Sequence, residues 1–135
     1  MVIGYTTGVF DMFHIGHLNI LKRAREQCDY LIVGVTTDEL CLSQKKKMPV
    51  INERERIEII RAIRYVNEAV FQEDMNKRRA IEKYHVDVVF VGSDWKGTPA
   101  WNQYEREFAE LGCRVVYFDY TKGISSTQLR EHLQR

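Results

Sequence analysis

Five short runs of β-branched, aliphatic and aromatic residues recur along the chain, at 2–6, 30–36, 67–71, 86–91 and 114–118, and longer stretches of helical spacing separate them. In the first stretch Leu18, Leu21, Ala24 and Cys28 fall on one face, with Lys22, Arg23, Arg25 and Glu26 on the other. Ile59, Ile63 and Val66 form a second stripe, the segment 74–84 is anchored by Ile81 and Tyr84, and Trp101, Tyr104, Phe108 and Leu111 mark a further helix. Leu129 and Leu133 mark a thin one at 125–134. Near-continuous apolar strands, each followed by a helix, predict an α/β fold: a doubly wound, parallel five-stranded sheet in a single domain, 1–135. A chain of 135 residues agrees with one domain. Ligands of such sheets lie beyond the carboxyl ends of the strands, so the loops after residues 6, 36, 71, 91 and 118 are where function is expected.

The loop after the first strand carries the densest chemistry. Thr6-Thr7-Gly8-Val9-Phe10-Asp11-Met12-Phe13-His14-Ile15-Gly16-His17 runs straight into the amphipathic stretch. Gly8 leaves room for a ligand to approach the backbone, and the free N–H groups of the new helix make an anion site. His14 and His17, three apart, can turn both rings toward one object there; imidazole N–H groups donate to phosphoryl oxygens, and when protonated also oppose charge developing in a transition state. No third Cys or His stands at metal-ligand spacing, so no protein metal site is expected. At the other end, Gly123-Ile124-Ser125-Ser126-Thr127 supplies a helix cap at Ser125 or Ser126 and a second positive helix terminus. Neither GxxxxGK[ST] nor GxGxxG occurs.

Gly8-Val9-Phe10-Asp11, His14-Ile15-Gly16-His17 and Gly123-Ile124-Ser125-Ser126-Thr127, together with Thr37-Asp38-Glu39, Ile63-Arg64-Tyr65-Val66 and Gly92-Ser93-Asp94-Trp95, resemble the cytidylyltransferase branch of the HxGH nucleotidyltransferase superfamily. Similarity is greatest to the short bacterial glycerol-3-phosphate cytidylyltransferases. The resemblance implies a Rossmann-like fold, a homodimer, and a Mg²⁺-assisted reaction of CTP with a small phosphomonoester such as glycerol 3-phosphate, giving a CDP-linked product and pyrophosphate. It implies catalytic roles for His14, His17 and Lys46, and a nucleotide site made of Thr7, Gly8, Val9, Phe10, His14, His17, Asp94 and Gly123 through Thr127. On the acceptor side it implies Asp11, Asp38, Arg56, Arg64 and Tyr120. Read as residues, Asp11 serves equally as a metal-shell or capping group and Asp38 as a turn group. Arg56 and Arg64, eight apart, are expected on one helix face. A second family lysine falls on Gln44, and the family wording R-T-E-G-I-S-T becomes Tyr120-Thr121-Lys122-Gly123, which loses a bidentate phosphate clamp. The segment 97–101 reads as an insertion at a pocket wall.

Two other readings stay open: an adenylyltransferase of the same superfamily using ATP and another small phosphate, and a CTP-binding module without turnover. Lys+Arg 20 against Asp+Glu 19 leaves a net charge of +1, which argues against nucleic acid or anionic lipid as a partner. No apolar run reaches the length of a membrane span, and the amino terminus lacks the basic start of a signal peptide. Cys28, Cys41 and Cys113 are odd in number and form no CxxC pair, as in reduced thiols of a cytoplasmic protein.

Overall fold

The expected alternation takes shape as one parallel sheet with helices on both faces. In a computed structural model, which describes residues 1–119, the elements are β1 (Ile3–Gly8), α1 (Ile15–Glu26), β2 (Tyr30–Thr36), α2 (Asp38–Lys45), α3 (Glu53–Ala62), β3 (Glu68–Gln72), α4 (Lys77–Tyr84), β4 (Val88–Gly92), a 3₁₀ turn (Ser93–Trp95), α5 (Pro99–Glu110) and β5 (Arg114–Phe118). The strand order is β3-β2-β1-β4-β5 with every pairing parallel. Chain order reverses between β1 and β4, so the crevice opens beyond their carboxyl ends.

Successive strand residues point to opposite faces, and both faces are buried, which is why the strands read as unbroken apolar runs. On one side Leu21 and Ala24 of α1 and Ile57 and Ile60 of α3 pack on Leu31, Val33, Val35 and Phe90. On the other, Ile81 of α4 and Trp101 and Phe108 of α5 pack on Tyr5, Ile32 and Val89. The three cysteines are free and buried. Among the described residues no helix is long and apolar enough to cross a membrane.

Three expectations change. The 37–45 segment is a helix rather than a turn and loop: the Thr37 hydroxyl accepts the Leu40 N–H at 3.1 Å, and Leu40 and Cys41 fill the inner face. The second stripe stops at Ala62, because Ile63 adopts an extended conformation (φ −75°, ψ 124°). Arg64 is therefore off the helix and does not share a face with Arg56. Residues 97–101 open α5, with Thr98 as N-cap, Pro99 in the first turn and Trp101 only 6% exposed in the core. The expected helix at 125–134 lies outside the described residues.

Candidate active site

Between β1 and α1 the backbone makes an unusual turn in which two non-glycine residues, Phe10 (φ 54°) and Met12 (φ 51°), are left-handed. Each such residue costs about 1–2 kcal/mol. The turn delivers His14 as the N-cap of α1 and His17 as its third residue, and the two form a reciprocal capping box. The Gly16 N–H donates to His14 Nδ1 at 3.0 Å, and the His14 N–H donates to His17 Nδ1 at 3.2 Å. Both Nδ1 atoms are thus acceptors, and each neutral ring carries its proton on Nε2. The rings stack with centroids 3.9 Å apart. His14 Nε2 is buried and has no hydrogen-bond partner among the described residues. A buried donor left unsatisfied in this way is available to a ligand oxygen.

Phe10 and Phe13 wall in the His17 ring, with centroids 5.5 and 5.3 Å away. This burial, and then the neighbouring His14, pushes His17 down to about 4 against a weaker opposing pull from Asp11. Burial lowers His14 too. At neutral pH the pair therefore acts as two neutral N–H donors rather than two cations. Gly8 has a reason other than the expected ligand approach: a Cβ there would sit 3.0 Å from two atoms of the Phe10 ring, the ring that walls His17.

Three residues expected on the acceptor side are instead occupied by the frame. Asp11, 3% exposed, accepts the Val50 and Ile51 N–H groups, both at 2.8 Å. Arg56, 1% exposed, donates from Nε to the Ile51 carbonyl at 2.8 Å and from Nη1 to the Val9 and Thr36 carbonyls, both at 2.7 Å. Its Nη2 pairs with Asp38. Asp38 also accepts the Glu53 N–H at 3.2 Å while its own N–H donates to the Glu53 carboxylate at 2.8 Å. A fully buried guanidinium with four N–H groups engaged has no face for a substrate phosphate. Arg64 is exposed, lies over the Tyr65 ring and precedes β3, at the amino ends of the strands, opposite the crevice within one chain. Lys46 ends α2 as an exposed, left-handed C-cap, and Asp94 is exposed in the 3₁₀ turn just past β4. Tyr120, Lys122 and Gly123 through Thr127 lie outside the described residues.

The structure adds Lys77, absent from the expected set. It is the first residue of α4, 7% exposed, and donates to the Thr7 hydroxyl at 3.1 Å near the end of β1. Its ammonium lies 5.8 Å over the Trp101 ring. Burial pushes it down to about 8. Lys77 also borders a cavity of about 170 Å³, lined in part by Tyr5, Gln72, Asp74, Asn76 and Tyr84. One signal was present in the sequence. The first turn of α4 is Lys77-Arg78-Arg79 without an acid, and cations there oppose the helix dipole. Broken local rules mark functional positions.

A doubly wound sheet whose switch point presents a helix N-terminus and two Nε2–H imidazoles is the framework of an HxGH nucleotidyl-transfer enzyme. The chain belongs to the cytidylyltransferase-like family, whose model matches residues 5–132, and is a cytidylyltransferase. It is 36% identical over 129 residues to glycerol-3-phosphate cytidylyltransferase of Bacillus spizizenii, covering 95% of this chain and 94% of the relative. The Staphylococcus aureus enzyme of the same name is also 36% identical, with 95% and 92% covered. Among solved structures, the lipopolysaccharide core biosynthesis protein of Thermoplasma volcanium superposes with a TM-score of 0.75 at 26% identity, over 92% of this chain and 99% of that one.

Proposed function

We propose that the protein transfers CMP from CTP to a small phosphomonoester, with glycerol 3-phosphate, named in its relatives, as the first candidate. The observation that carries this reading is the buried His14 Nε2, unpartnered among the described residues, on a ring stacked on His17 at the start of α1. Two neighbouring imidazole donors at a helix N-terminus suit phosphoryl oxygens. A phosphate oxygen of the acceptor attacks the α-phosphorus of CTP in line, the new P–O bond forms, and the bond to the β-phosphate oxygen breaks with its electron pair leaving on pyrophosphate. His14 and His17 donate to oxygens whose charge grows during the step. Lys46, exposed at the end of α2, and Ser125 through Thr127 hold phosphates, and Asp94 serves the nucleotide side. Lys77 and Thr7 hold the acceptor's phosphate, and the adjoining cavity takes its small polar body. No covalent enzyme intermediate is required.

Among the described residues no three His, Cys, Asp or Glu side chains come together to hold a metal, and Asp11 is engaged by backbone N–H groups. The described groups do not fit a resident Mg²⁺ site. Mg²⁺ belongs in this reading to the incoming polyphosphate, whose oxygens and waters fill its shell. Exposed Leu42, Met48, Val50 and Ile59, on and between α2 and α3, offer a surface for the homodimer that completes the reading. Sedimentation tests it.

The test is pyrophosphate release with CTP, ATP, GTP and UTP against glycerol 3-phosphate and a panel of other small phosphates. Turnover with CTP and one of them supports the proposal. Turnover with ATP alone refutes the base assignment. Silence throughout, with CTP still raising Tm, refutes turnover.

A further inference from the structure

The turn that presents the two histidines does not hold itself. Phe10 and Met12 are both left-handed, and β-carbon-bearing residues keep that conformation only where their surroundings impose it. The groups that impose it come from elsewhere in the chain. Asp11, between the two strained residues, is fixed by the Val50 and Ile51 N–H groups at 2.8 Å. The Val9 carbonyl, just before Phe10, is fixed by Arg56 Nη1 at 2.7 Å. The same guanidinium grips Ile51 and Thr36 through their carbonyls, and Asp38 through its carboxylate. Both side chains are almost wholly buried, at 3% and 1% exposure.

We infer that Asp11 and Arg56 are positioning residues for nucleotidyl transfer: together they clasp the strained Phe10–Met12 turn to the 50–51 segment and to β2, and so hold the His14–His17 pair in its donor geometry. The clasp touches no reacting atom. It acts on the rate through the histidines, and to that extent rests on their proposed role. Segment 50–51 is an outer piece of the molecule, with Val50 56% exposed, yet its N–H groups are tied to a buried carboxylate. Such an arrangement fixes a backbone rather than binding a solute.

The test measures kcat, KM for CTP and folded fraction for Asp11→Asn and Arg56→Lys, with His17→Ala as reference, well below each Tm. Displacing a catalytic group by about 1 Å costs about 100-fold. The clasp therefore predicts kcat lower by about 10–100-fold per folded molecule, with KM for CTP within about threefold. Adding Met12→Gly to Asp11→Asn should recover about fivefold, because glycine adopts the left-handed conformation without strain. Unchanged kcat per folded molecule in both single variants, with only Tm lowered, overturns the inference. So does failure of Met12→Gly to recover any rate. Should the variants not fold, amide exchange in the wild-type protein decides. Ile51 should exchange about 100-fold more slowly than Lys47; equal rates overturn the clasp. Loss of rate in Asp11→Asn and Arg56→Lys without loss in His17→Ala would instead refute the role given to the histidines.

Discussion

Replacing Lys77 by methionine should make the unliganded protein more stable and the enzyme worse. Lys77 is 7% exposed, and burial takes its ammonium from 10.5 to about 8. A depression of that size means that keeping the charge in the folded state costs about 3 kcal/mol below pH 8. Methionine matches the stem and removes the charge. It also removes the hydrogen bond to Thr7 and the contact with Trp101, together about 1–2 kcal/mol. The net expectation at pH 7 is a gain of about 1–2 kcal/mol, or a rise in Tm of about 3–8 °C for a chain of this size. The pH dependence fixes the origin. Between about pH 8 and 10.5 the unfolded chain holds the lysine proton that the folded chain has released, so wild-type stability rises with pH while that of the variant does not. Their stability difference should therefore shift against the variant across that interval. Activity moves the other way: losing a charge-assisted contact to phosphate, about 1.5–3 kcal/mol, raises KM for the acceptor about 10–100-fold and leaves KM for CTP nearly unchanged. The assays are urea unfolding at pH 7 and pH 10 and pyrophosphate release with the acceptor varied. A less stable variant at pH 7 with an unaltered acceptor KM would refute the reasoning, because Lys77 would then be a structural lysine.

His17→Ala should lower kcat about 10²–10³-fold, the usual loss for one transition-state donor; an intact turnover number would dismiss its role. Nitrogen-15 imidazole spectra of the unliganded protein should show His17 protonated at Nε2 and neutral throughout pH 5–8, since burial holds it at about 4; a midpoint near 6.5 would contradict the buried, stacked geometry. Gly8→Ala should destabilise by about 1–3 kcal/mol, as its Cβ meets the Phe10 ring at 3.0 Å, and should lower kcat by displacing a wall of His17; an unchanged Tm would show that the ring yields freely.

What the sequence revealed and what it hid divide along a physical line. Strand positions were legible because residues such as Leu31, Ile32 and Val33 must be apolar on both faces of a covered parallel sheet. The His14–Gly16–His17 turn was legible because cap, glycine and imidazoles are adjacent in the chain. The roles of Asp11, Arg56 and Asp38 were ambiguous because a charged residue in a site-like motif reads the same whether it faces substrate or braces the turn behind it. Only burial and partners 15–47 positions away separate the two cases. Arg64 misled for a local reason: an apolar stripe continued through Ile63, but the backbone left the helix there. Lys77 was hard to find because Thr7, its hydrogen-bond partner among the described residues, is 70 residues away, and the acid-free first turn that signals it also looks like a solvated helix face.

The capping box at the start of α1 joins two requirements that most enzymes keep apart. The Nδ1 atoms close the helix, and the Nε2 atoms are left for the donor role proposed for them. A serine, asparagine or aspartate at position 14 could still cap the helix, so a variant altered there is expected to stay folded while losing the proposed donor. A lineage carrying this turn therefore stands one codon change from a stable nucleotide receptor with no turnover, and a surviving fold with an altered cap is the mark such a descendant would leave.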